Sequence, residues 1–466
     1  MQGPAAMSTA SLHKELGRLV GADNVSTGEA ECFAHGYDAA VVEPGRPAVV
    51  VRPQTVEALG AVVGFCGREG LPLTVRGAGT NLSGGTVPRA GGVVAVTTSL
   101  RRIREINPAD MYAVVEPGVV TAELARAASR AGLFYPPDPG SMQVSTLGGN
   151  VAENSGGLRG LKYGVTRDYV MGLSFFDTEG NLIKTGARTV KCATGYNLAG
   201  LMVGSEGTLG VFAEIVLKLV PPPAASQALM ATFARLEDAS RTVADIIAAR
   251  IVPCTLEYLD DFTIRAVEDY AGVGLPTDAA ALLLIEVDGH PVQVGDEAQQ
   301  VEAICRRNRA RQVRLARDAA ERDRVWEARR AAIPALARLQ PTIMLEDATV
   351  PRSRIPQMVA AIAEIARRHE VTIGTFGHAG DGNLHPSFLF DGRDPAQAER
   401  VEAAIAELYH RALELGGTLS GEHGIGLTKR RFLPDEVGRA TLAWSRRLKA
   451  ALDPGGILNP GKVLGD

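Results

Sequence analysis

The stretch GHAGDGNLHP, which begins at Gly377, holds the residues with the clearest capacity for chemistry. It places His378 and His385 seven residues apart, although the whole chain has only eight histidines. Asp381 and Asn383 lie between them. Glycine, asparagine and aspartate also favour tight turns in which polar side chains bond the local backbone. The spacing alone therefore fits a plain polar hairpin as well as it fits a functional loop.

A second stretch, RGAGTNLSGG at Arg76–Gly85, has the composition of an anion-binding loop. Successive glycines let backbone N–H groups approach a diphosphate at positive φ. A dinucleotide fingerprint would need a third glycine where Leu82 stands, and a helix directly afterwards. The strand-like GGVVAVTT follows instead, so we exclude NAD at this loop. A plain glycine-rich hairpin remains the alternative.

A third stretch, PPDPGSMQVSTLGGNVAENSGG, is rich in small polar residues that can donate to phosphate or ribose oxygens. The donors are Ser141, Ser145, Thr146, Asn150 and Asn154. One such segment is a weak signal. Two in one domain, followed by VGSEGTLGV, favour a large, extended cofactor with a polar tail.

Composition limits the class of protein. The chain has 466 residues, 45% hydrophobic and 22% charged, which suggests a soluble globular protein of two or three domains. A net charge of −4 argues against a nucleic-acid partner. The five cysteines form no CxxC pair, which argues against a zinc ribbon or a local iron–sulfur ligand set and favours a reducing compartment. Without a signal-peptide pattern or an apolar run of about 20 residues, we expect a cytoplasmic protein with no membrane span.

Apolar periodicity indicates the elements that would position these stretches. It predicts a helix over residues 10–35, a buried strand within Pro47–Gln54, an amphipathic helix ending at Gly70, and a strand that leads into the glycine loop. This order is typical of a parallel crossover unit. Pro136 to about Gly164 is predicted to be a long functional loop. After the prolines at 221–223, repeated strand and helix patterns favour an α+β domain.

Taken together, RGAGTNLSGG, PPDPGS, GGNVAENSGG, KYG and GSEGTLG resemble the FAD-binding domain of the vanillyl-alcohol-oxidase-type flavoproteins. GHAGDGNLHP, SGEHGIG and LNPGK narrow the resemblance to the branch that oxidises D-2-hydroxy acids. That branch includes D-lactate dehydrogenases, D-2-hydroxyglutarate dehydrogenases and the flavin subunit of bacterial glycolate oxidase, to which the chain is most similar. The resemblance covers roughly residues 40–466.

The resemblance implies an α+β fold: a two-subdomain FAD-binding domain plus an α+β cap domain with an antiparallel sheet. The expected domains are an N-terminal helical segment (1–40), the FAD-binding domain (41–222), a substrate and cap domain with the metal site (223–430), and a C-terminal segment that returns to the flavin (431–466).

The resemblance also implies where FAD binds, with its pyrophosphate on the Arg76–Gly85 loop. Because residues 76–92 contain neither histidine nor cysteine, we predict that the FAD is non-covalent. The predicted cofactor-binding residues are Arg76, Gly77, Ala78, Gly79, Thr80, Asn81, Gly84, Pro137, Asp138, Gly140, Ser141, Ser145, Thr146, Gly149, Asn150, Asn154, Gly157, Tyr163, Gly164, Glu206, Gly210, Val211 and Asn459.

In the same way, the resemblance implies that His378, His385 and Glu422 ligate a divalent metal, Zn²⁺ or Mn²⁺. Two imidazoles and a carboxylate suit such ions and leave positions open for substrate. His423 would be the base that takes the substrate's hydroxyl proton, and Arg329 would bind its carboxylate. The alternatives are a polar hairpin for the histidines and a solvated helix face for Arg329.

Two departures from the family pattern bear on the substrate. Family members that act on 2-hydroxyglutarate carry a lysine and an asparagine where this chain has Leu345 and Ser387. A second carboxylate would lack both partners, so a small acid, glycolate or D-lactate, is favoured. A D-2-hydroxyglutarate dehydrogenase is the less favoured alternative.

The electrons taken up by FAD must pass to an acceptor outside this chain, because the chain has no cysteine motif that could bind an iron–sulfur cluster. We expect an external acceptor: a quinone, a cytochrome or an iron–sulfur partner subunit. One alternative is a flavin subunit that is active only within a multi-subunit glycolate oxidase complex. Another, from a different class, is a metal-dependent hydrolase. A homodimer and a peripheral position at the inner membrane are left open.

Overall fold

The structure is a computed structural model, and it describes residues 7–465. In this range the helices are α1 (Thr9–Val20), α2 (Glu29–Ala34), α3 (Val56–Glu69), α4 (Thr121–Arg130), α5 (Leu147–Glu153), α6 (Gly160–Tyr163), α7 (Leu198–Met202), α8 (Leu236–Ala248), α9 (Asp261–Ala271), α10 (Pro291–Arg307), α11 (Ala319–Arg330), α12 (Ala332–Ala337), α13 (Ile355–Arg368), α14 (Pro395–Glu414) and α15 (Leu433–Leu452). The strands are β1 (Val25–Ser26), β2 (Val49–Val51), β3 (Leu73–Arg76), β4 (Val93–Val96), β5 (Ile103–Asn107), β6 (Tyr112–Val115), β7 (Val170–Phe176), β8 (Leu182–Gly186), β9 (Val211–Lys218), β10 (Ala225–Phe233), β11 (Thr255–Asp260), β12 (Ala281–Gly289), β13 (Gln312–Leu315), β14 (Thr342–Leu345), β15 (Ala348–Thr349), β16 (Thr372–His378) and β17 (Asn383–Phe390). None of these helices is both long and apolar enough to cross a membrane.

The chain folds as two compact units, and neither is continuous along the sequence. The first unit contains the residues up to Ser155, Val165–Pro222 and the residues from Glu422 onward. The second contains Gly156–Gly164 and Pro223–Gly421. The domain ranges expected from the sequence remain predictions, and they place residues 156–164 and 422–430 differently from these units.

Two sheets form the first unit. The four-stranded sheet has the order β1-β2-β4-β3, with β4 parallel to both β2 and β3 and with β1 antiparallel to β2. The five-stranded sheet has the order β5-β6-β9-β7-β8, and all its pairs are antiparallel. The predicted crossover unit is present as β2, α3 and β3. Leu59 and Val63 of α3 are fully buried in the same core as Val49 and Val51 of β2. The run of buried valines in β2 is typical of a parallel strand that is covered on both faces.

The end of the chain extends the edge of the first sheet. Leu458 forms a parallel bridge with Leu73 of β3. The Leu73 N–H donates to the Ile457 carbonyl (2.7 Å), and the Asn459 N–H donates to the Leu73 carbonyl (2.8 Å). The C-terminal residues are thereby fixed beside the strand that leads into the glycine loop.

One large sheet organises the second unit. Its order is β13-β10-β12-β11-β16-β17-β14, and β15 pairs with β17. Every pair is antiparallel, which confirms the antiparallel sheet expected of the cap domain. The apolar core on this sheet includes Leu282 and Leu284 of β12, Leu336 of α12 and Phe376 of β16.

Three local predictions were wrong. Residues 10–35 contain two helices, α1 and α2, because β1 pairs with β2 between them. The segment Pro136–Gly164 contains α5 and α6, which are too short to show a helical period in the sequence. The two histidines of GHAGDGNLHP lie on strands β16 and β17 rather than in a functional loop, and only a short turn separates the two strands.

Candidate functional site

The β16–β17 hairpin carries both predicted metal-binding histidines. His378 ends β16 and pairs with Asn383, while His385 of β17 pairs with Phe376. Side chains alternate along a strand, so Phe376 and His378 share one face, and His385 lies on that face opposite Phe376. The two imidazole rings are perpendicular, with centroids 5.0 Å apart. Pairing of the strands therefore converts a spacing in sequence into direct proximity.

Glycine is required in the turn between the histidines. Gly382 has φ 95°, and a Cβ there would lie 2.1 Å from the Val350 carbonyl oxygen. The Asn383 N–H donates to Asp381 Oδ1 at 3.2 Å. Asp381 thus bonds the local backbone, as the plain hairpin interpretation expects, and the His378 carbonyl accepts from the Asp381 and Gly382 N–H groups.

The predicted ligands His378, His385 and Glu422 form a group. Each offers one ligand atom, and these atoms lie within 4.8 Å of one another. Both histidines are buried, and Glu422, bonded directly to Gly421 at the end of the second unit, is partly exposed. Two imidazole nitrogens and a carboxylate oxygen suit Zn²⁺ or Mn²⁺. The donor set fits the predicted metal, whose presence remains a prediction.

The residues just before Glu422 are held tightly within the second unit. The Gly421 N–H and the Ser420 hydroxyl both donate to Asp347 Oδ2, at 2.9 and 2.7 Å. A Cβ on Gly421 would lie 2.4 Å from Thr349 Oγ1. Glycine immediately before the predicted ligand is therefore needed for the close approach of this segment to β15.

Glu257 lies behind His378 and was missed by the sequence analysis. It is fully buried on β11, and its Oε1 lies 2.7 Å from His378 Nδ1. Its other oxygen, Oε2, accepts a hydrogen bond from Arg329 Nε at 2.6 Å. Burial raises the pKa of Glu257, but attraction to His378 and Arg329 outweighs burial and brings the pKa to about 2. The one signal in the sequence was an acid inside the apolar strand TLEYLD.

Arg329, the predicted partner of the substrate carboxylate, is buried with 8% of its surface exposed. Its guanidinium carbon lies 4.6 Å from the centre of the Phe376 ring, and its Nε is engaged by Glu257. The alternative of a solvated helix face is therefore wrong for this arginine. Three residues earlier, Trp326 Nε1 donates to Glu286 Oε2 at 2.6 Å.

The first unit brings the two glycine-rich stretches together. A Cβ on Gly77 would lie only 2.2 Å from Thr146 Oγ1, so the loop after β3 lies against the start of α5. Ser83 Oγ donates to Glu153 Oε1 at 3.2 Å near the other end of that helix. Asn81 Nδ2 donates to Asp38 Oδ2 at 2.6 Å. This proximity of two donor-rich stretches suits an extended cofactor with a polar tail.

Several predicted FAD residues use their side chains to fix the scaffold. Asn150 Nδ2 donates to Thr121 Oγ1 at 2.7 Å, and Ser145 Oγ lies 3.0 Å from the same atom. Asn154 Oδ1 accepts from the backbone N–H of Arg167 at 2.9 Å. These side chains hold the loops in place, so contacts with a cofactor would come mainly from the backbone of the same segments.

The remaining predicted FAD residues fall in two places. Asn459 Nδ2 donates to the carbonyls of Gly85 and Glu206, at 2.7 and 2.8 Å, within the first unit. The second unit contains Gly157, Tyr163 and Gly164. The Tyr163 hydroxyl donates to Asp288 Oδ2 at 2.6 Å. Their roles at the cofactor remain predictions.

His423, the predicted base, precedes a turn that is clamped by a carboxylate. Gly424 and Gly426 have φ 85° and 47°. Glu206 accepts hydrogen bonds from the backbone N–H groups of Ile425 and Gly426, both at 2.7 Å. The side chain of Glu206, predicted only as a cofactor residue, therefore orders the backbone that follows the base.

A second buried carboxyl, Glu153, faces the same turn, where a Cβ on Gly424 would lie 2.2 Å from its Oε2. Burial and the charge of Glu206 raise the pKa of Glu153, Asp38 raises it further and Lys429 lowers it. Burial also raises the pKa of Glu206, to about 7. The two backbone N–H bonds that Glu206 accepts lower its pKa and offset part of the effect of burial.

The two positions that differ from the 2-hydroxyglutarate pattern are direct neighbours. Leu345 of β14 pairs with Ser387 of β17. Ser387 is fully buried and lies two residues after His385 on the same strand face. Neither side chain offers a charge to a second carboxylate.

Comparison with known proteins identifies two matching families. The model described as FAD linked oxidases, C-terminal domain, matches residues 222–463, and the one described as FAD binding domain matches residues 47–186. The chain is 47% identical to the glycolate oxidase subunit GlcD of Bacillus subtilis over 98% of its own length and 97% of the relative. It is 34% identical to the D-lactate dehydrogenase of Anaerostipes hadrus over 93% of this chain and 92% of the relative.

Among solved structures, p-cresol methylhydroxylase matches with a TM-score of 0.81 and 16% identity, over 97% of this chain and 96% of that one. At this identity the likeness shows the fold alone. It confirms the predicted fold class, a two-subdomain FAD-binding architecture joined to an α+β cap.

Proposed function

The chain belongs to the family of FAD-linked oxidases, and we propose that it oxidises a small D-2-hydroxy acid, glycolate or D-lactate, to the 2-oxo acid. The observation that carries this proposal is the group formed by the buried His378 and His385 and the partly exposed Glu422, which His423 follows directly in the chain. A hydrolase would have use for such a group, but none for the two donor-rich stretches of the first unit.

FAD would supply the redox chemistry by accepting a hydride from C2 of the substrate. The polar segments that would hold it are the Arg76–Gly85 loop and residues 137–154, together with Asn459. Residues 76–92 lack histidine and cysteine, so we infer a non-covalent flavin. Heating or acid should then release it into solution intact.

A divalent cation at His378, His385 and Glu422 would polarise the hydroxyl and carboxylate oxygens of the substrate. His423 would take the hydroxyl proton, a task for which an imidazole is suited near neutral pH. Arg329 uses Nε for Glu257, so it would bind the substrate carboxylate through its Nη groups. The imidazoles and the carboxylate favour Zn²⁺ or Mn²⁺ over Mg²⁺.

The pair formed by Leu345 and Ser387 supports a small substrate. A buried second carboxylate needs a cation or several hydrogen-bond donors, and this pair supplies at most one hydroxyl. Glycolate and D-lactate carry a single carboxylate. D-2-hydroxyglutarate is therefore the less favoured substrate.

The substrate is tested with the purified full chain and an artificial dye acceptor. Glycolate, D-lactate, L-lactate and D-2-hydroxyglutarate are compared under the same conditions. We expect turnover with glycolate, with D-lactate or with both, and at least about 10-fold lower kcat/KM with D-2-hydroxyglutarate. A colourless chain that takes up no FAD, or a preference for the dicarboxylate, would contradict the proposal.

A second candidate is a flavin subunit that turns over only inside a complex. The Bacillus subtilis relative is named a subunit, and the five cysteines of this chain form no cluster-binding motif. Electrons would then leave through a partner that carries an iron–sulfur cluster, or through a quinone or cytochrome. Flavin that is reduced by substrate in the isolated chain but not reoxidised by the dye would favour this candidate.

A further inference from the structure

Glu257 is a carboxylate with no exposure to solvent that joins two residues of the proposed site. One oxygen contacts His378 Nδ1 (2.7 Å) and the other accepts from Arg329 Nε (2.6 Å). Strand pairing places it there: Tyr258 and Leu259 of β11 pair with Gly377 and Phe376 of β16, so Glu257 is directly across from His378. Its position is therefore set by the sheet.

We propose that Glu257 is a positioning residue that presents His378 Nε2 to the metal and fixes Arg329 at the same time; this rests on the proposed metal site. A neutral imidazole has one N–H and one lone pair. A carboxylate accepts only, so the hydrogen atom resides on Nδ1 and the lone pair on Nε2. Carboxylates behind metal-binding histidines orient the ring and strengthen the ligand in this way.

The two bonds of Glu257 also explain why a buried charge is tolerated here. An isolated buried carboxylate is costly, whereas one that is paired with a cation and hydrogen-bonded on both oxygens is compensated. Because one carboxylate serves both partners, the orientation of the metal ligand is linked to that of the arginine. Loss of Glu257 would remove this hydrogen bond to the His378 ring and the counter-charge beside the buried Arg329.

The chain offers a matched control in Glu286. It lies on β12, the strand next to β11, and its Oε2 accepts a hydrogen bond from Trp326 Nε1 at 2.6 Å. Like Glu257, it receives a side-chain N–H from α11 within the second unit. Its side-chain hydrogen bond goes to Trp326 rather than to a proposed metal ligand, so its removal tests for general damage to this region.

The experiment measures metal affinity. The full flavin-containing chain is stripped with a chelator and titrated with Zn²⁺ or Mn²⁺ in competition with a chromophoric indicator. For Glu257→Gln we expect affinity about 10–100-fold weaker than in the unchanged protein. For Glu286→Gln we expect affinity within about 2-fold of the unchanged protein, and flavin content is measured in parallel for both variants.

The outcomes separate the inference from the proposed function. Weaker metal binding in Glu257→Gln alone, with flavin retained, supports the positioning role. Unchanged affinity in Glu257→Gln overturns the inference and leaves the metal site standing. Absence of tight binding in the unchanged protein overturns the metal site and the inference together. If Glu257→Gln does not fold, Glu257→Asp, which keeps the charge but shortens the reach, is judged by the same criteria.

Discussion

Removal of the His423 side chain should lower turnover without changing the flavin content. His423→Ala removes the proposed proton acceptor, while the turn behind it is held by the bonds of Glu206 to the Ile425 and Gly426 backbone. We expect kcat to fall by about 10²–10⁴-fold with the flavin content unchanged, measured by dye-linked turnover and absorbance. Loss of the flavin along with activity would instead mean that His423 has a structural role.

Substitution of Gly421 should lower both the stability of the fold and the affinity for metal. In Gly421→Ala the new Cβ would lie 2.4 Å from Thr349 Oγ1 and 2.8 Å from Asn383 Nδ2. Relieving that overlap should cost about 1–3 kcal/mol and shift the segment that bears Glu422. We expect a lower melting temperature and weaker metal binding, measured by calorimetry and chelator competition.

The control for this change is Gly295→Ala. Gly295 is within helix α10, and apart from its chain neighbours and the backbone of its own helix, no described atom lies within 4 Å of a Cβ placed there. Alanine is favoured over glycine in a helix by about 1 kcal/mol, so the melting temperature should stay or rise. If both substitutions changed the melting temperature and the metal affinity equally, the close approach of Gly421 to Thr349 would not be the cause of the effect.

At the scale of elements, the buried carboxyls on α5 and before β9 should make stability depend on pH. Glu153 and Glu206 have pKa values raised in the folded chain, chiefly by burial. Between about pH 5 and pH 7 the folded state therefore binds more protons at this pair than the unfolded state does, and its contribution to stability falls as the pH rises. Glu257 has the opposite effect on the pH dependence of stability. Its pKa is lowered to about 2, so its contribution to stability is lost only as the pH falls.

Glu153→Gln tests this linkage, because glutamine resembles the protonated acid in shape and does not ionise. The melting temperature of the variant relative to the unchanged chain should rise as the pH increases from about 5 to about 8. Asp38, Lys429 and Ser83 face the same carboxyl and are unchanged in the variant. A difference in melting temperature that is constant with pH would mean that Glu153 is ionised in the fold.

The parts of the fold that the sequence could predict are those with local patterns. The valines of β2, the amphipathic α3 and the glycine at its end together specify a crossover unit. Motifs also indicated His378, His385 and Glu422, which the structure brings within one group. The role of Glu257 could not be predicted in this way, because it depends on the pairing of strands whose contacting residues are 121 positions apart. Such a contact leaves no trace in sequence spacing.

At the scale of the whole molecule, the order of segments along the chain matters. The residues from Glu422 onward belong to the first unit, although the second unit precedes them. They contribute the backbone bound by Glu206 and the Asn459 side chain that bonds Gly85 and Glu206. The first unit therefore depends on contacts from residues that follow the second unit in the sequence.

Reduction of the bound flavin by substrate, with and without metal, tests the proposed chemistry most directly. The full chain is mixed anaerobically with glycolate or D-lactate, and the loss of flavin absorbance is followed in metal-loaded and chelator-stripped samples. We predict rapid bleaching in the loaded chain, at least about 100-fold slower bleaching in the stripped chain, and recovery on addition of Zn²⁺ or Mn²⁺. Equal rates in the loaded and stripped chains, with dithionite bleaching both, would contradict a metal at His378, His385 and Glu422 that assists the oxidation.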